Sequence, residues 1–210
     1  MTANGTRRDI VDFRIGTPER WYPMPLAEAS DPDWATTLAG SLVDDEGMRA
    51  KLADELAFAR SRFRAMRNPA MTAAVWIPYP EIGRAGAALV FSLAPLEVVG
   101  TPDQYEEALA APVVEPDSGQ SYFAVQTWRS TVDAGELVGS HNLIAHAVPD
   151  GGAELEERVV AVVYPPDAAQ VVQFVASAEN LGVFTDMASD VQTLVSTLTV
   201  TLAATADVPS

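Results

Sequence analysis

The sequence predicts an α+β domain: an antiparallel sheet of about six or seven strands with two or three packed helices, the last of them a long carboxy-terminal helix. Three observations carry this. Apolar runs of strand length recur at residues 71–77, 85–93, 122–132, 136–148, 158–164 and 170–176, joined in pairs by short turn-rich connections. Helical spacing is confined to a few segments, grouped apart from the strands rather than alternating with them. Residues 157–202 give the clearest signal, with two Val/Ala-rich runs split by Pro165-Pro166-Asp167 and a helical stripe closing the chain.

Taken in order, residues 1–11 carry no pattern and read as a flexible tail, as do residues 204–210; one domain is expected over 12–203. Residues 12–15 form a first short strand. Pro18, Pro23 and Pro25 enclose Trp21 and Tyr22, so this segment is expected to lie as an extended strap outside any ladder, its aromatics docked on the core. Asp31-Pro32-Asp33 reads as a helix start with Asp31 as N-cap, followed by Trp34, Leu38 and Leu42 four apart. Gly40 and Gly47 leave open one bent helix or two shorter ones. The second part is the more regular, with Met48, Leu52, Leu56, Ala59, Phe63 and Met66 on one stripe. Acids at Asp44, Asp45 and Glu46 open it and arginines close it, the order that a helix dipole favours, and Asn68-Pro69 ends it.

Runs 71–77 and 85–93 are expected to pair antiparallel across the connection 78–83. Thr101-Pro102-Asp103 starts a short helix that buries Tyr105 and Leu109 and stops at Pro112; residues 113–120 are loop. A meander follows, with turns at Asp133-Ala134-Gly135 and Pro149-Asp150-Gly151-Gly152. Met187, Val191, Leu194, Val195, Leu198 and Leu202 then line one face of a helix over residues 185–202.

Composition narrows the function classes. The net charge of −16, from 29 acidic against 13 basic residues, repels nucleic acid and anionic membrane surfaces. With no apolar run long enough to span a bilayer and a polar start, a soluble cytoplasmic protein is expected. The absence of cysteine removes disulfides, thiolate nucleophiles and sulfur-ligated metals.

No convergent catalytic, cofactor or metal signature is found. His141 and His146 are five apart in one strand, which aims them at opposite faces and denies them a shared metal. Neither a Gly-x-Ser-x-Gly elbow nor a phosphate-binding glycine loop exists; Gly83-Arg84-Ala85-Gly86 lacks the strand-then-helix setting. The acids at 44–46 and 154–157 lack the alternating oxygens and central glycine of a calcium loop. Cofactors and metals are accordingly expected to be none.

One charge feature stands out in so acidic a chain: Arg60, Arg62, Arg64 and Arg67 crowd one helix end, and Arg60, Arg64 and Arg67 share a face. Favourable dipole placement with local ion pairs explains it; the sharper reading is a docking patch for an acidic partner segment. Trp76, Tyr79 and Trp128, with Ile77, are the apolar side chains that would line a partner surface. The competing reading is a small-molecule pocket, binding or enzymatic, lined by Tyr122, Trp128, His141 and His146. Self-association is a third reading.

The order of elements resembles the Mog1/PsbP-like α/β/α sandwich. The likeness is carried by Phe13 to Trp21 at the opening and by Val159-Val160-Ala161-Val162-Val163-Tyr164-Pro165, Val171-Val172-Gln173-Phe174 and the acid-led segment from Asp186 at the close. The chain lacks the lipobox cysteine of that superfamily's lipoprotein members. The resemblance implies a binding scaffold used as adaptor, chaperone or accessory subunit, and brings no catalytic residues with it. The sequence therefore predicts a non-enzymatic protein-binding module whose partner is another protein offering an acidic or apolar segment.

Overall fold

The computed structural model describes residues 7–27, 31–68, 71–111, 120–148, 152–179 and 181–204. Its centre is a seven-stranded antiparallel sheet. In spatial order the strands are β2 (Trp21–Met24), β3 (Met71–Trp76), β4 (Ala87–Pro95), β8 (Gln170–Ala178), β7 (Ala153–Tyr164), β6 (Gly135–Ala147) and β5 (Gln120–Val132). A second, two-stranded ribbon joins β1 (Ile10–Arg14) to β9 (Thr199–Leu202). Among the described residues there are five α-helices: α1 (Trp34–Leu42), α2 (Glu46–Ala65), the single turn α3 (Leu96–Val99), α4 (Pro102–Ala110) and α5 (Met187–Val195). The expected α+β class and antiparallel sheet hold.

Strand alternation divides the core in two. One face presents Leu89, Phe91, Phe174, Ala176, Val159 and Leu137, and is closed by α5 together with Ile10 and Phe13 of the ribbon. The other face is covered in two patches. Helices α1 and α2 sit over Met24, Ala73, Val75 and Ile77, and α3 and α4 over Val138, Val162, Tyr164 and Val171. Layers of helix, sheet, then helix plus ribbon result.

Several expectations are corrected. Trp21–Met24 is a ladder strand, its residues facing Trp76 to Ala73 in register; Pro23 is tolerated because β2 is an edge, where a missing N–H costs no interior bond. Asp31 does not cap α1: its carboxylate accepts from Asp33 N–H at 2.8 Å inside a turn, and the helix begins at Trp34. The two-helix alternative prevails over a bent one, since Val43 is extended and Asp45 caps α2 by accepting from Met48 N–H at 2.9 Å.

The long terminal helix is the largest correction. α5 stops at Val195, Thr197 hydroxyl accepts the Gly16 amide at 2.9 Å, and Thr199, Val200 and Thr201 form β9 against Arg14, Phe13 and Asp12. Three β-branched residues in a row fit a pleat better than a helix, and β1 offers an unpaired ladder to join. β1 itself starts at Ile10, inside the stretch expected to be tail, and Arg8 bridges Ala168. Residues 1–6 and 205–210 of the expected tails, the Pro69 stop, Pro112 to residue 119 and the turn from Pro149 to Gly151 lie outside the described residues. The Thr101 start of α4 forms as expected, with a complete capping box to Gln104.

Candidate functional site

α2 overhangs a concavity on the second face. The helix buries Leu52 and Leu56 fully, while the ends of the same stripe, Met48 and Met66, are exposed. A helix of 20 residues is about 30 Å long, and six-residue β3 beneath it spans only about 20 Å, so the stripe outruns its support. Where the carboxy-terminal half of α2 leaves the sheet, a groove of about 330 Å³ opens. Phe58, Phe63 and Met66 form its helix wall, and Val90 of β4 and Val175 of β8 its half-buried floor. Phe58 and Met66 are 64% and 60% exposed, high values for side chains of this size.

Charges rim this groove. Arg62 lies over the Phe58 ring at 5.9 Å and bridges Glu179 at 3.5 Å. Glu55 accepts the Ala85 amide at 2.9 Å; burial raises its pKa, an effect that the Ala85 bond and Arg84 only partly offset. At the inner end Arg158 holds Glu156 through Nε and Nη2 at 2.6 and 2.8 Å, and His146 Nε2 lies 2.7 Å from the same carboxylate. Ser177 also bonds Glu156, and Tyr122 bonds Arg158. Burial works against ionisation of Glu156, but the bonds from Arg158, Ser177 and His146 prevail and hold its pKa below the usual glutamate value. A carboxylate so firmly ionised is a poor proton acceptor, and every member of the network has a partner. Among the described residues no three His, Asp or Glu side chains converge as a metal site would need.

The residues expected from sequence scatter. Arg60 is 5% exposed; its Nε donates to Pro25 O and its Nη1 to Asp31 O, both at 2.9 Å, with the guanidinium over the Trp34 ring. Arg64 donates from Nε to Leu26 O at 3.1 Å and from Nη2 to Ala27 O. These two arginines staple the segment that leads from β2 towards α1 and present no open patch, because the carbonyls ending a strap need donors more than a surface needs charge. Arg67 is exposed in a left-handed conformation just past the helix. Trp76 is stacked on Phe184 at 4.1 Å within the first face's core, and Tyr79 is exposed beside a smaller cleft with Ile82 and Leu181.

The four-residue pocket does not form. In the β6 ladder, register places His146 and Tyr122 on the second face and His141 and Trp128 on the first. His141 pairs with Glu157 at 2.8 Å, and Trp128 packs against Gly139. Sequence reasoning missed Phe58 and named Arg62 only as one of the arginine cluster, because both exposed groove residues lie off the main apolar stripe. Their signal was an aromatic four residues before an arginine on a helix face otherwise polar.

No family model and no curated protein sequence matches this chain. Among solved structures it is similar to the crystal structure of LpqN, described as involved in cell envelope biogenesis of Mycobacterium tuberculosis, with a TM-score of 0.44 at 12% identity, covering 90% of this chain and 83% of that one. Among the described residues no helix is long and apolar enough to cross a membrane.

Proposed function

We propose that this chain is a non-enzymatic protein-binding module, an adaptor, chaperone or accessory subunit, that seats an apolar segment of a partner protein in the groove beneath α2. The observation that carries the reading is the pairing of Phe58 and Met66, both largely exposed, with the half-buried Val90 and Val175 across about 330 Å³. Apolar side chains held against water beside a concavity gain free energy when a complementary segment fills it. The Arg62–Glu179 pair supplies the polar rim that such an interface commonly has. The internally satisfied Glu156 network supports positioning rather than chemistry, and the resemblance to Mog1/PsbP-like scaffolds points the same way. The net charge of −16 disfavours nucleic acid as the partner, and cytoplasmic placement belongs to the same proposal.

A photo-crosslinking amino acid placed at Phe58 tests this in the native cell, with the same group at exposed Val98, outside the groove, as control. We expect one protein adduct specific to position 58. The purified partner should then bind wild type and lose at least ~30-fold in affinity to F58D and to M66D, the scale of a central anchor. Thermal stability of both variants should match wild type. Equal adducts at both positions, or binding indifferent to F58D and M66D, would remove the groove from the function.

A further inference from the structure

The opposite end of the sheet carries an edge strand that is unprotected among the described residues. β5 runs for 13 residues, and among the described residues Ser121–Val132 pair on one side only, with β6. Edge strands are ordinarily short, interrupted by proline, or armed with lysine, because a bare ladder of N–H and C=O groups recruits another strand. The other edge of this sheet obeys the rule, since β2 has four residues and contains Pro23. β5 contains neither proline nor lysine, and its sole charged residue is Arg129. Arg129 is drawn out of the edge by ion pairs to Asp103 and Glu106 of α4 and to Glu136 of β6. The one irregularity, a bulge between Tyr122 and Ala124, lies near one end and leaves the stretch from Ala124 to Val132 regular.

We propose that β5 pairs antiparallel with β5 of a second copy of this chain, joining two sheets across a twofold axis at Gln126. A second copy is favoured over a foreign strand because the edge is self-complementary. About that axis Val125 faces Thr127 and Ala124 faces Trp128, and in a chain of net charge −16 no like charges oppose one another along the strand. Val125, Gln126 and Thr127 are exposed, so the pairing displaces no core contact. The groove beneath α2 is lined from β3, β4, β8 and β7 and by no residue of β5.

Sedimentation equilibrium on the full chain reads the outcome. Wild type should run at twice its 22.4 kDa chain mass, with a concentration-dependent fall to monomer on dilution. V125K/T127K opposes lysines across the axis and should be monomeric at every concentration with an unchanged melting temperature. V125K/T127E places opposite charges across the same axis and should restore the dimer. A wild-type chain that is monomeric throughout, or a V125K/T127K chain that still dimerises, overturns the proposal. A V125K/T127E chain that stays monomeric overturns the pairing about Gln126.

Discussion

Replacing Arg60 with glutamate separates the two readings of the arginine cluster. As a docking patch, the cluster would lose a partner and keep its fold; as a staple, it would lose the fold first. Arg60 gives two charge-assisted bonds at 2.9 Å, to Pro25 O and Asp31 O, from a site only 5% exposed. Leaving such acceptors without their donor costs about 1–3 kcal/mol each, and loss of the guanidinium from the Trp34 face adds about 0.5–1 kcal/mol. R60E also brings a carboxylate against those same oxygens, so a total near 4–5 kcal/mol is expected; R60M, which keeps the stem, should cost about 2–4 kcal/mol. At about 2–4 °C per kcal/mol for a chain of this size, R60E should melt roughly 8–20 °C below wild type. R62E, on the exposed side of α2, should stay within about 0.5 kcal/mol. Thermal melts followed by near-ultraviolet circular dichroism supply the comparison, and amide exchange should show residues 21–27 opening first in R60M. An R60E protein that melts with wild type would mean that its guanidinium is free in solution and that the staple does not exist.

Two further perturbations test the sheet and its polar network. A Cβ on Gly139 would lie 2.4 Å from Trp128 Cζ2, so G139A should cost about 1–3 kcal/mol by overpacking, and W128L in the same chain should recover most of it; additive losses in a double-mutant cycle would show that the ring does not sit over the glycine. Glu156 and Glu55 should move stability with opposite sign as acid is added. The folded-state pKa of Glu156 is depressed, so its contribution is present above the ordinary value of 4.5 and is lost as pH falls through the lower folded value; E156Q should be destabilised at neutral pH, with the gap to wild type closing in acid. Burial raises Glu55, so its ionised form opposes folding at neutral pH; E55Q should gain stability there, and the gain should vanish below 4.5. Urea midpoints across pH read both, and parallel pH profiles for the two variants would contradict the assignment.

What the sequence disclosed follows the range of the forces involved. Strand alternation is local, so the opposite facing of His141 and His146 could be read from their spacing, and pairing in β6 bears it out. The Thr101 cap of α4 was equally legible because cap and helix are adjacent in the chain. The ending was misread because its outcome is decided 185 or more residues away: Leu202 keeps helical spacing with Leu198, yet it faces Ile10, as Val200 faces Phe13, in a ladder that no local pattern announces. Arg60 failed for the same reason, its acceptors lying 35 and 29 residues upstream. The groove was invisible for a third reason. A stripe that reads as one continuous core-facing surface says nothing about where the sheet beneath it ends, so Met66 and Leu56 look alike in sequence although one is exposed and the other fully buried.

The two faces of the sheet explain why the accessible apolar surface lies where it does. On the first, α5 and the β1–β9 ribbon converge on one continuous cluster that reaches from Trp21 to Leu198, and a side chain added there meets neighbours on every side. On the second, the helices form two separate clusters, one under α1 and α2 and one under α3 and α4. Half-buried Val90 and Val175 floor the groove that α2 overhangs on this face. Stability would favour closing the gap, since each apolar side chain left half-exposed forgoes part of roughly 1.5–3 kcal/mol. A fold whose second-face helices form two separate clusters keeps a half-buried surface whose burial free energy would be available to the proposed partner.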